Sequence, residues 1–213
     1  LVREDVDGFL FINFPVMALD RLLFSMAERR LPAISVGAAV EGAHSWVAID
    51  HERSFELGCI HLLDAGLRRL VMLDTDASRV SSEAKRRGYE RAMRARGLEP
   101  LPTVASVASG ARGACDAARA ALETVPDVEG ILLTDNGHAA VVQMALSGRA
   151  LRLMGFGDDG PARECDPPIS WMSLPVHSVA DAAVDHLLRW IDAPEPPPPL
   201  QRRFDCALIA PGA

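Results

Sequence analysis

With 213 residues, 49% of them apolar and 24% charged, the chain can bury a sizeable α/β core and is neither disordered nor of low complexity. Its net charge of −7 argues against a nucleic-acid surface within these residues, because phosphate contacts need concentrated Lys and Arg. No apolar run approaches the roughly 20 residues of a membrane span, and Cys59, Cys115, Cys165 and Cys206, far apart and without a C-x-x-C pair, predict small buried thiols.

The opening LVREDVDGFLF lacks an initiator Met, a signal peptide and a capped first element, so the chain is expected to have lost an N-terminal part. Residues 6–13, VDGFLFIN, predict a strand entered through Asp7-Gly8. Pro15 begins a helix with Met17, Leu19, Leu22, Leu23 and Met26 at helical spacing, and residues 33–36 form the next strand. Residues 46–73, WVAIDHERSFELGCIHLLDAGLRRLVML, then read as strand, N-cap, helix, Gly stop and strand. Val47 and Ile49 mark the first strand, Asp50 caps, and Phe55, Leu57, Ile60, Leu62 and Leu63 supply the helix's buried face. Gly66 ends that helix, and the run at residues 70–73 is of the kind found in a strand covered on both faces.

A polar loop, DTDASRVSSE, opens a helix that runs through Lys85, Arg86, Arg87 and Tyr89 to Gly97. Residues 103–107 predict a short strand, 110–122 an Ala-rich helix, and 128–134 a strand. Asp135-Asn136-Gly137 caps a helix ending near Ser147-Gly148, and residues 151–156 are a further strand. Beyond a loop at 157–168 come a strand at 169–174 and a helix at 175–191 with Val176, Val179, Ala183, Leu187 and Ile191 on one face. The run PEPPPP at 194–199 predicts an extended connector, and residues 203–209 a last strand. Strands alternating with helices in this way predict a parallel, doubly wound α/β architecture.

Several chemistries find little support. Gly155-Phe156-Gly157-Asp158-Asp159-Gly160 matches G-x-G-x-x-G, but two carboxylates and Pro161 stand where a helix N-terminus would receive a pyrophosphate. Asp158, Asp159, Glu164, Cys165 and Asp166 lack the alternating spacing of a metal loop, so a solvated acidic loop is expected. The six histidines are dispersed, with no H-E-x-x-H, and there is no G-x-S-x-G elbow. No catalytic residue, metal or cofactor is expected.

Seven pieces, VDGFLFIN, LPAISVG, VAIDHERSFELGCIHLLDAGLRRLVML, RRGYERAMRARGL, EGILLTDNGHAA, LRLMGFGDD and DPPISWMSLP, follow one another as in the effector-binding domain of LacI-type transcriptional regulators, which the chain resembles over nearly its whole length. The resemblance implies a two-lobed, periplasmic-binding-protein-like fold of parallel sheets flanked by helices, lacking the first strand and helix. It implies an N-terminal lobe of residues 1–49 with 175–198 and a C-terminal lobe of 50–174 with 199–213, the third crossing lying in the Pro-rich run. It further implies a cytoplasmic, non-membrane homodimer sensing a small sugar-like effector, and operator DNA bound through a missing helix-turn-helix head. The helix at residues 55–66 and the Ala-rich helix are the candidate dimer surface. An exported solute-binding protein of a sugar transporter is the alternative.

Carried over position by position, a pocket Arg becomes Lys85, which keeps the charge without the bidentate fork; a solvated helix face is its other reading. Asp135 is the expected hydroxyl acceptor, although Asp135-Asn136 is equally accounted for as a helix cap. Where relatives carry a ligand carboxylate this chain has Gly157, and Asp158 follows one place later. Ser81 stands where relatives offer a hydroxyl, or is an N-cap; Trp171 offers a stacking face, or is buried between the lobes. An aromatic that stacks on ligand in some relatives aligns with Ala108.

Overall fold

The computed structural model describes residues 6–12, 16–37, 39–40, 42–75, 81–106, 108 and 110–211. The predicted start at Pro15, the Met17 side chain and the strand ends at Asn13 and Val107 lie outside them. In chain order the elements are β1 (Phe9–Ile12), α1 (Val16–Glu28), β2 (Ala33–Val36), β3 (Ser45–Ile49), α2 (His51–Asp64) and β4 (Leu70–Asp74). Next come α3 (Ser81–Ala95), β5 (Val104–Ala105), α4 (Gly110–Thr124), β6 (Gly130–Leu133), a 3-10 turn (Asn136–His138), α5 (Ala139–Ala145) and β7 (Arg152–Gly157). The chain closes with α6 (Asp159–Arg163), β8 (Ser170–Ser173), α7 (Val176–Asp192), β9 (Gln201–Phe204) and β10 (Ala207–Ile209).

The chain divides into one unit of Leu1–Asp50 with Pro175–Asp205 and a second of His51–Leu174 with Cys206–Ala213. In the first, a parallel sheet of order β1-β2-β3-β9 is covered on both faces. Residues alternate between the faces of a strand. Ile34, Val47 and Phe204 therefore meet Val179, Ala183 and Leu187 of α7, while Ala33 meets Leu19, Leu23 and Met26 of α1.

The second unit carries a sheet of order β10-β8-β7-β6-β4-β5, parallel except for β10. Strands β4 and β6 are wholly buried, as their unbroken apolar runs predict. Val71, Leu73, Ile131 and Leu133, each at most 1% exposed, contribute roughly 1.5–3 kcal/mol apiece on burial. Gly66, at φ 95°, closes α2: the Leu67 amide donates to the Leu62 carbonyl (3.3 Å) and the Gly66 amide to that of Leu63 (3.1 Å). The buried side of α2 differs from its expected face. Ser54, Phe55, Gly58, Cys59, Leu62 and Leu63 are buried, while Leu57 and Ile60 are half-buried, because α3 lies along the flank where Gly88 meets Glu52.

The strand expected at 203–209 is two strands. β9 pairs with β3 in the first unit and β10 runs antiparallel beside β8 in the second, with Asp205-Cys206 between the two ladders. The Pro-rich run, without helix or strand as expected, lies within the first unit. All four cysteines are thiols: Cys59, Cys165 and Cys206 buried, Cys115 half-buried. Burial pushes the Cys59 thiol up to about 12.

Candidate functional site

Open α/β sheets meet ligands beyond the carboxyl ends of their strands. In the second unit those ends gather Asp74, Thr75, Thr134 and Asn136, all buried although polar, together with Lys85 from α3. Burying such groups costs free energy unless they are hydrogen-bonded, so their partners define the site.

Lys85 is 3% exposed, and its Nζ donates to the Thr134 carbonyl at 2.8 Å. The ammonium lies 4.3 Å from the centroid of the Phe156 ring and 5.8 Å from that of Phe55, both within cation–π range. The Phe156 ring in turn has Phe55 and His51 at 5.4 Å, tilted 47° and 49°. The Thr134 hydroxyl donates to Asp74 Oδ1 at 3.0 Å and accepts from the Thr75 amide at 3.3 Å. The solvated-face reading of Lys85 is therefore not what the fold shows; its charge is turned inward onto the end of β6.

Asp135 accepts the Gly137 amide on Oδ1 at 2.7 Å, capping the 3-10 turn as its sequence context predicts. Asn136 is 2% exposed, and its Nδ2 donates to the Asp158 carbonyl at 2.6 Å. The Asp158 side chain is exposed and makes no cap hydrogen bond to α6. Asp159 is the anchored carboxylate: its Oδ1 accepts the Ser173 hydroxyl at 2.6 Å and the Trp171 indole N–H at 2.8 Å. The Ser173 bond above all, with the Trp171 bond, holds the Asp159 carboxyl below its ordinary range.

Trp171 is 3% exposed within the core of the second unit, with the Arg163 guanidinium 5.2 Å over its ring. Ser81 is half-buried at the first residue of α3, one helical turn before Lys85, and Ala108 is exposed. The fold thus joins Lys85 to Asp135 through Thr134, Asp135 to Asp158 through Asn136, and Asp158 to Trp171 through Asp159. Ser81 shares α3 with Lys85.

Asp74, Thr134 and Ser173 carry no signal in the sequence, and Asn136 stands out there only as half of a helix cap. The apolar runs of β4 and β6 mark their ends, but only the three-dimensional pairing shows which polar groups there are buried. Among the described residues no three His, Cys, Asp or Glu side chains converge as metal ligands, and no helix is long and apolar enough to cross a membrane. A groove of about 830 Å³, with His61, Gln143, Arg149, Arg152 and Asp166 on its walls, opens at the opposite, amino edge of β7 and β8. Apart from that of the antiparallel β10 it holds no strand carboxyl end, so the polar edge is the better candidate for ligand recognition.

Residues 60–210 match the periplasmic binding protein-like domain, and the chain belongs to that family. Within it, the chain shares its fold with solved LacI family transcriptional regulators. The HTH-type transcriptional regulator CelR of Thermobifida fusca is 25% identical over an alignment of 185 residues that covers 82% of this chain and 54% of that protein. The chain therefore spans about half the length of this curated relative. The solved transcriptional regulator CelR–cellobiose complex superposes with a TM-score of 0.84 at 22% identity, over 97% of this chain and 65% of that one. A LacI family transcriptional regulator from Enterococcus faecium with bound ribose gives a TM-score of 0.80 at 18% identity, over 96% of this chain and 78% of that one.

Proposed function

We propose that the chain is the effector-binding and dimerising part of a cytoplasmic LacI-type transcriptional regulator. In this reading a small sugar or related metabolite closes the two lobes, and operator DNA is held by a helix-turn-helix head outside these 213 residues. The ligand acts only through its different affinity for two lobe arrangements, so no covalent step is involved. The observation that carries the reading is the connected polar edge from Lys85 to Ser173 in a chain of this family. Relatives crystallised with cellobiose and with ribose support a sugar as the ligand class. Four thiols outside any disulfide favour the cytoplasm over export, since exported proteins pair or avoid them.

At the site, Asp135 and Asp158 supply carboxylate acceptors to ligand hydroxyls, and Ser81 a hydroxyl. Lys85 fixes the end of β6 that carries Asp135, and Trp171 fixes Asp159 beside Asp158. The test is thermal melting of the chain with cellobiose or ribose. A sugar-dependent rise in Tm is expected in the wild type and is lost in Asp135→Ala and Lys85→Ala; a full rise retained in both removes the site assignment.

A further inference from the structure

Asn136 has two neighbours that explain why β7 ends in the run Gly155-Phe156-Gly157. A Cβ built on Gly155 would stand 3.0 Å from the Asn136 Cβ and 3.2 Å from that of Trp171. One built on Gly157 would collide with the Asn136 Oδ1, and Gly157 already holds φ 145°, a backbone region closed to side chains. The amide therefore occupies the space that a residue at 157 would otherwise fill. Its Nδ2 reaches the carbonyl of Asp158, just past Gly157, while its own backbone follows Asp135. One buried amide thus ties the turn after β6 to the turn after β7.

Building on the effector reading above, we propose that Asn136 is the positioning residue of this site, setting Asp135 and Asp158 in fixed relation and taking up the space of a side chain at 157. A hydroxyl-bearing ligand is then met by two carboxylates, one at the neighbouring strand's end and one past Gly157, with the Asn136 amide as the link between their turns. This pairing also gives the G-x-G motif a local role: its glycines make room for an amide.

Hydrogen–deuterium exchange of the 213-residue chain, read by mass spectrometry, tests the proposal. Asn136→Ala removes the amide, and Gly157→Ala drives a methyl into its place. Each speeds exchange at residues 134–138 and 157–160 together, roughly tenfold for one lost hydrogen bond, while β4 keeps its wild-type rate. The double variant exchanges no faster than the faster single one. Asn136→Asp keeps the shape: ionised, beside Asp135, Asp158 and Asp159, it repels the Asp158 carbonyl, and protonated it donates to it. Its exchange, corrected for intrinsic rates, returns towards wild type as pH falls through the carboxylate range. Separate responses of the two segments, wild-type exchange in Gly157→Ala, additive effects in the double variant, or a flat pH profile in Asn136→Asp would each overturn the proposal. A wild type whose Tm ignores every sugar would defeat the effector reading and leave the exchange result to decide this one.

Discussion

Tyr89 and His186 are both buried polar side chains, and opposite demands are made of them. Tyr89 is 1% exposed, and its hydroxyl donates to the Leu70 carbonyl at 2.7 Å while accepting the Leu101 amide at 2.9 Å. Burial drives its ionisation well above the ordinary tyrosine range, so it stays a neutral pin between α3 and β4. Tyr89→Phe leaves a carbonyl and an amide unmet and should cost about 1–3 kcal/mol, read by urea unfolding. His186 is 6% exposed, with Nε2 2.8 Å from Ser45 Oγ, which also accepts the Leu200 amide at 3.2 Å. Burial, reinforced by Arg189, lowers its pKa below the usual histidine value. Below about pH 6.5 the unfolded chain therefore binds more protons at this residue than the folded one does. Its contribution to stability is complete above that pH and falls as pH drops towards the folded pKa. Melting from pH 7.5 to 5.5 should show a steeper loss in the wild type than in His186→Gln; equal slopes would remove His186 as the cause.

Three helices end in the same hydrogen-bonded turn with unequal residues at its left-handed position. α2 and α3 place Gly66 (φ 95°) and Gly97 (φ 70°) there, whereas α1 places Arg30 at φ 55°. Since a side chain in that region costs about 1–2 kcal/mol, Arg30→Gly should raise stability by roughly 1 kcal/mol in a melting or urea experiment. The α2–α3 contact responds to change in the reverse sense. A methyl at Gly88 would run into the Glu52 carbonyl, so Gly88→Ala should cost about 1–3 kcal/mol or more by urea unfolding. The surrounding pairs, such as Arg91 with Glu52 and Glu56, are exposed and add about 0–1 kcal/mol each. Gly66 and Gly88 were readable as a stop and as part of a family motif, because local backbone demands leave a local mark. The split of residues 203–209 was not, since alternation continues across Asp205-Cys206 while the pairing partner changes. Nor was the bond from Lys85 to the Thr134 carbonyl or the tie from Asn136 to Asp158, because both partners lie far along the chain.

At the scale of the whole molecule the two units are unevenly reinforced. β4 and β6 have apolar neighbours on both faces and strands on both sides, whereas among the described strands β1 pairs with β2 alone and leaves Ile12 62% exposed. Local opening follows such differences. Amide exchange should therefore be fastest in β1 among the described strands longer than two residues and slowest in β4 and β6, and the reverse order would show that edge position does not govern opening here. The parallel architecture was legible because each βα repeat announces itself within about 30 residues. Which strand stands at which edge is fixed by crossovers that no local pattern records.

The distribution of sulfur gives this asymmetry a practical meaning. All four thiols belong to the second unit, and the first has none. A thiol-reactive probe on the native chain should tag Cys115 first and reach Cys59, Cys165 and Cys206 only as that unit opens. The cysteines are thus a built-in stopwatch for one half of the protein, while the other half carries no thiol of its own.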